Sequence, residues 1–285
     1  MRSVILDTDV GSDVDDALAL ALLLGANGLA LKAITTVYGN TKVRAQIASH
    51  LCALAQRDIS IFAGEGMPLS GKDIWSSGRE GENFKGLERY SISERDAVDF
   101  LTVDYSNLDD LEILAIGPLT NIAKAITQSL RFTKNVKALW VMGGNFSSEK
   151  AEHNFACDSK AAQIVFGSGI PIKVLDLPSA QKTLLGPHEI LRIKSAGKLG
   201  PTLYAEAMSW ITPRNQDWTI PHDPMLALSY VRPELFDFSE AGYVEISDDG
   251  KSRWIGNENG HVHRVSPKEP KKAVDVMIDY LAAIN

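Results

Sequence analysis

Asp7-Thr8-Asp9-Val10-Gly11-Ser12-Asp13-Val14-Asp15-Asp16 sets five carboxylates within ten residues. Before it stands Val4-Ile5-Leu6, apolar and of strand length; after it stands Ala17-Leu18-Ala19-Leu20-Ala21-Leu22-Leu23-Leu24, apolar and of helix length. A buried strand therefore leads through an acidic turn into a buried helix. Like charges packed this closely repel unless a cation offsets them, and hard divalent ions such as Ca²⁺ and Mg²⁺ take carboxylate oxygens. A plainer reading makes this a solvated turn, with Asp13 as helix N-cap and Asp15 and Asp16 favouring the helix dipole. That reading accounts for only part of the set. The turn lies at the carboxyl end of a buried strand, where open α/β sheets place their ligands, so we expect it to bind a metal.

Outward from this segment, apolar runs of strand length alternate with helical patterns. Strands are expected over 31–37, 111–115, 136–142 and 172–175, and helices over 41–56, 119–126 and 159–166. This alternation predicts an α/β fold: an open, mostly parallel, Rossmann-like sheet with helices on both faces. The tail reads as an antiparallel addition, 243–246 and 263–265, with a closing helix over 271–283. Residues 64–90 form a long stretch rich in Gly, Ser and charge, of the kind that is functional when found inside a domain. Residues 197–221 read as helix and then loop, with Trp210, Pro213 and Trp218.

No linker interrupts the 285 residues, so a single domain over 1–285 is expected. With 45% hydrophobic and 23% charged residues the composition is that of an ordinary globular protein. A net charge of −7 without a Lys/Arg-rich run argues against a nucleic-acid partner. The longest apolar stretch, 17–26, falls well short of the ~20 residues a membrane helix needs. Met1-Arg2-Ser3 leads straight into the first strand, so no signal peptide and a cytoplasmic location are expected. Cys52 and Cys157 lack C-x-x-C spacing and read as core thiols.

Four further segments stand at strand ends or helix starts: Tyr38-Gly39-Asn40, Gly117-Pro118-Leu119-Thr120-Asn121, Met142-Gly143-Gly144-Asn145 with Glu152-His153-Asn154, and His222-Asp223-Pro224. Each alone reads as an ordinary turn or helix start. Taken in order with the acidic turn, from Asp7 to Leu228, they make the chain similar to the nucleoside hydrolase family of the inosine/uridine-preferring type. The resemblance implies one Ca²⁺ held by Asp9, Asp16 and Asp223 through their side chains and by Thr120 through its carbonyl. It implies hydrolysis of the N-glycosidic bond of a ribonucleoside through an oxocarbenium-like transition state, with Asp9 as base towards a water activated by the ion. Asp15, Glu152 and Asn154 match ribose-holding positions, Asn40, Met142 and Asn145 further lining positions, and His222 the residue that protonates the departing base. It also implies a homodimer or homotetramer acting on a small nucleoside.

The chain departs from the family pattern in three places. The acidic turn is two residues longer, so Asp13 is open as an alternative to Asp15 or Asp16. Arg79-Glu80-Gly81 stands where many relatives carry a His, and His153 stands where an aromatic is common. With Trp218 nearby, these positions bear on how the base is held. His222, in place of the Trp of purine-specific relatives, leans away from that branch. Two rival readings follow from the same residues. Asp7-Thr8-Asp9 after a strand also resembles the nucleophile motif of haloacid-dehalogenase-type phosphotransferases, though Gly11 departs from it. The other rival is a protein that binds a nucleoside or ADP-ribose without turnover.

Overall fold

Six strands carry the alternation: β1 (Arg2–Thr8), β2 (Leu29–Thr36), β3 (Ser60–Ala63), β4 (Leu111–Ala115), β5 (Leu139–Met142) and β6 (Ile172–Leu175). From Val4 onward β1 is buried on both faces, as a central strand of a parallel sheet must be. It pairs in parallel with β2 on one side and β4 on the other, giving the order β3-β2-β1-β4-β5-β6. The computed structural model describes residues 2–104 and 111–284.

Alternate residues of the sheet feed two cores. Val4 and Leu6 of β1 and Leu114 of β4 pack into one. Its helices are Asp15–Gly25, Thr41–Leu54, Gly200–Ile211, His222–Val231 and Pro270–Ala282. Ile5, Ile113 and Ala115 pack into the other, under Thr120–Gln128 and Ser159–Phe166. All eleven residues of Asp15–Gly25 are buried, which explains why that helix is apolar all round.

The chain winds outward in opposite directions from β1 and β4, so the strand order switches between them. A crevice opens at such a point beyond the strand carboxyl ends, which is where the acidic turn lies. Beyond β6 come β7 (Phe236–Phe238), β8 (Gly242–Ile246), β9 (Ser252–Gly256) and β10 (Val262–Pro267). The expected antiparallel pair, 243–246 and 263–265, is present as β8 and β10; β8 also forms a hairpin with β9, and β10 lies antiparallel to β7 but parallel to β6. It thus extends the parallel set before the last helix. Strands β3, β7 and β9 carry too few apolar residues in too short a run for the sequence to announce them. Residues 64–90 are irregular apart from one turn of 3-10 helix, Leu87–Arg89. Among the described residues no helix is long and apolar enough to cross a membrane.

Candidate active site

The turn after β1 is held by one side chain. Arg44, buried, donates to the carbonyl of Asp9, to those of Val10 (3.1 Å) and Tyr38 (2.7 Å), and to Ser12 Oγ (3.2 Å). Its Nη2 stands 4.0 Å from Asp9 Oδ2. Gly11 passes through the turn at φ +115°, where a Cβ would sit 2.6 Å from Ile47, so the glycine is required. The helix then starts at Asp15 with Val14 in the N-cap position. Asp13 is therefore not the N-cap: its Oδ1 accepts only from the adjacent Val14 N–H (2.5 Å). Asp16 Oδ1 accepts from Thr8 Oγ1 and from the Asp9 N–H (3.2 Å), tying the helix start back to the strand.

Asp7 serves a different purpose. It is buried within β1, and its Oδ1 accepts from Thr35 Oγ1 (2.5 Å) and Asn121 Nδ2 (2.7 Å). Burial pushes its carboxyl up to about 7. It does not line the cavity, so it cannot be the attacking group that the phosphotransferase reading requires.

Asp223, the second residue of the His222–Val231 helix, meets the first helix across the crevice. One carboxylate oxygen from each of Asp15, Asp16 and Asp223 lies within 4.8 Å of the other two, and all three residues are buried. Burial raises their pKa values well above the usual carboxylate range, and repulsion among the neighbouring acids, Asp9 and Asp13 included, adds to it. Three buried acids with no cation between them are costly, and a hard divalent ion with oxygen ligands removes both penalties. The donor set therefore fits a hard divalent cation of the Ca²⁺ or Mg²⁺ kind. Of the expected ligands, Asp16 and Asp223 are in this trio, and Asp15 joins them where Asp9 was expected; Asp9 lines the cavity beside them. Thr120 opens the Thr120–Gln128 helix, buried, with its hydroxyl given to Asp158 Oδ2 (2.7 Å), and does not line the cavity.

The cavity above the acids has a volume of about 320 Å³. Ile116, Met142, Glu152, Asn154 and His222 form its walls, and Trp75, His153 and Trp210 also line it. Gly117 has no room for a side chain, since a Cβ would stand 2.6 Å from Asp9 Oδ1. Glu152 is the N-cap of the short His153–Cys157 helix: Oε1 accepts from the Asn154 N–H (2.8 Å), Oε2 from those of Gly144 (3.0 Å) and Phe155 (3.2 Å). Asn154 donates to the carbonyls of Ile116 (2.8 Å) and Met142 (3.2 Å), which fixes its amide and leaves its oxygen for a ligand. His222 Nδ1 is buried with no partner, and burial pushes the ring's pKa down to about 4.

Several expected residues lie elsewhere. Asn40 is exposed and caps the Thr41–Leu54 helix, accepting from the Val43 N–H (3.2 Å). Asn145 is tied to Ser148 (2.8 Å) and Ser252 (2.9 Å) and does not line the cavity. Arg79, exposed, reaches the Ser209 carbonyl (3.3 Å), and Trp218 is also outside the lining. Asp13, half-buried, does line it but is not in the trio. Sequence reasoning gave no role to Ser12, Trp75, Ile116, Leu177 or Trp210. For Trp75 the signal was an aromatic within a Gly/Ser-rich stretch.

A family model described as inosine-uridine preferring nucleoside hydrolase matches residues 4–282. The chain is 30% identical to a probable uridine nucleosidase 2 of rice, Oryza sativa subsp. japonica, covering 87% of this chain and 79% of the relative. It is 30% identical to the non-specific ribonucleoside hydrolase RihC of Salmonella newport, covering 87% and 84%. The solved structure of a plant nucleoside hydrolase, PpNRh1, superposes with a TM-score of 0.88 at 25% identity over 99% of both chains.

Proposed function

The chain belongs to the inosine-uridine preferring nucleoside hydrolase family and is an N-ribosyl hydrolase, and from that premise we propose that it hydrolyses ribonucleosides to free base and ribose with Ca²⁺ bound at the cavity floor. The observation that carries this is the buried trio of Asp15, Asp16 and Asp223 beneath the cavity at the sheet's switch point. The ion is held by these three carboxylates. When bound, it lowers the pKa of a water and orients the ribose hydroxyls.

The chain's own residues divide the remaining work. Asp9 is fixed through its backbone by Arg44 and lines the cavity beside the trio; it takes the proton of the attacking water. The Asn154 oxygen accepts from a ribose hydroxyl, and the Glu152 carboxylate keeps that segment in register through its N-cap bonds. Burial of the sugar excludes bulk water while positive charge develops at its anomeric carbon, which the carboxylates offset. His222 lines the cavity and assists the departing base on that side. The whole chain, 1–285, acts as one domain, in the cytoplasm and as a homodimer or homotetramer; these last two rest on the sequence reading alone.

Purified protein supplied with Ca²⁺ should release hypoxanthine from inosine or uracil from uridine together with ribose, as chromatography of the products shows. Tight nucleoside binding without release of base would instead favour the non-hydrolytic binding protein.

A further inference from the structure

His153 is the polar side chain of the cavity wall that the hydrolytic chemistry leaves without a task. It opens the His153–Cys157 helix, is exposed, and lines the cavity. Its Nε2 lies 3.6 Å from Cys157 Sγ, one turn along, which commits that nitrogen to the protein. Nδ1 has no hydrogen-bond partner among the described residues. The ring plane is fixed as well. Trp75 meets it edge to face, with 5.0 Å between centroids and 83° between planes.

Trp75 is itself anchored, although it comes from the long irregular stretch. Its backbone N–H donates to Tyr38 Oη (2.7 Å), and Ile74 packs on Val37, Tyr38 and Cys157. The N–H groups of Leu69 and Ser70 donate to the Asp158 carboxylate at 2.7 and 3.0 Å, which staples the segment beside the helix that carries His153. A ring held from two sides, with one nitrogen unpaired in the lining of a ligand cavity, is a preorganised polar contact of the sort that sets specificity.

We propose that His153 holds the nucleobase through a hydrogen bond between Nδ1 and its polar edge, favouring nucleosides over ribosides without such an edge, and that Trp75 acts by fixing its ring. The inference rests on the nucleoside reading of this cavity and adds the group that reads the base. A sugar without a nucleobase edge gains nothing from such a contact.

The test compares His153→Phe with the natural protein, since Phe keeps a ring against Trp75 and removes both nitrogens. With Ca²⁺ present, kcat/KM for inosine and uridine should fall about tenfold, the usual cost of one lost neutral hydrogen bond, and mainly through KM. Turnover of p-nitrophenyl riboside should stay within about twofold. Calorimetric titration with uridine and with ribose, in the Ca²⁺-loaded Asp9→Asn background where turnover is removed, makes the same comparison without cleavage: adding His153→Phe should weaken uridine binding about tenfold and leave ribose unchanged. An equal loss on all substrates and on ribose, or no loss on nucleosides, overturns the proposal. A natural protein that binds uridine without cleaving it would strike the hydrolase reading alone, and the calorimetric comparison would still decide this one.

Discussion

The floor of the cavity hangs from the most constrained parts of the fold, and its rim does not. Asp9, Asp15, Asp16 and Asp223 follow a central strand or open a buried helix, and all are buried. Trp75 and His153 come from an irregular stretch and a five-residue helix, and Trp75 is 44% exposed. Backbone pairing in the sheet, with the buried Arg44 bracing the turn, places the floor, whereas bonds to the side chains of Tyr38 and Asp158 place the rim. The floor can therefore carry chemistry that tolerates little displacement, while the rim can change its residues, and with them its ligand preference, without disturbing the sheet.

The largest effects should come from the floor. Asp9→Asn keeps size and removes the base, and general acid–base groups contribute ~10²–10⁴-fold. We expect turnover to fall by that much with a thermal transition close to that of the natural protein. Unchanged turnover would break the division of labour. Asp15→Asn should be similarly damaging because it weakens the trio. Asp13→Asn should leave turnover within a fewfold, because the hydrogen bond Asp13 makes among the described residues is to the adjacent backbone. Kinetics on the pair of variants decides which acid belongs to the floor: equal damage would move Asp13 into it.

His222 lies between the two regions. His222→Ala should slow inosine or uridine hydrolysis by ~10²-fold or more. It should largely spare p-nitrophenyl riboside, whose phenolate leaves without a proton. An equal loss on both would make His222 a packing residue beside Asp223.

The smallest effect concerns how the rim is attached. Glu206, on the Gly200–Ile211 helix, is buried with Oε1 unpaired, and burial pushes its carboxyl up to about 7 although Asn83 of the long stretch bonds to it. A folded-state pKa raised from 4.5 to about 7 gives stability that is complete below 4.5 and lost as pH rises through 7. Glu206→Gln should therefore gain relative to the natural protein above pH 7, by on the order of 2 kcal/mol, and match it near pH 4. Melting curves at both pH values check the sign; a larger gain at pH 4 than above pH 7 would contradict it.

The same contrast governs what the sequence revealed. The strand–acid–helix order was legible because β1 and the Asp15–Gly25 helix are apolar on every side, and only a buried central pair has that composition. Asp16, Asp223, Glu152 and Asn154 were legible as motif members at strand ends. Asn40 and Asn145 were legible as polar residues at such ends, but a capping asparagine and a ligand-binding one look alike in sequence. Which of Asp9 and Asp15 joins the trio depends on the pitch of the first helical turn, which a linear motif does not encode. Trp75 could not be placed, because its position depends on Tyr38 and Asp158, distant in sequence. The antiparallel relation of β10 to β8 was legible, but its parallel pairing with β6 was not, because period-two patterning is the same for parallel and antiparallel strands.

The central claim is that the acids of the floor work by holding one Ca²⁺. Protein stripped with chelator and verified metal-free should show no nucleoside cleavage and a lowered melting temperature. Titrated Ca²⁺ should restore both together, saturating at one ion per chain, because a ligand of the folded state alone stabilises it by mass action. Full cleavage of inosine or uridine by the metal-free protein would contradict the claim.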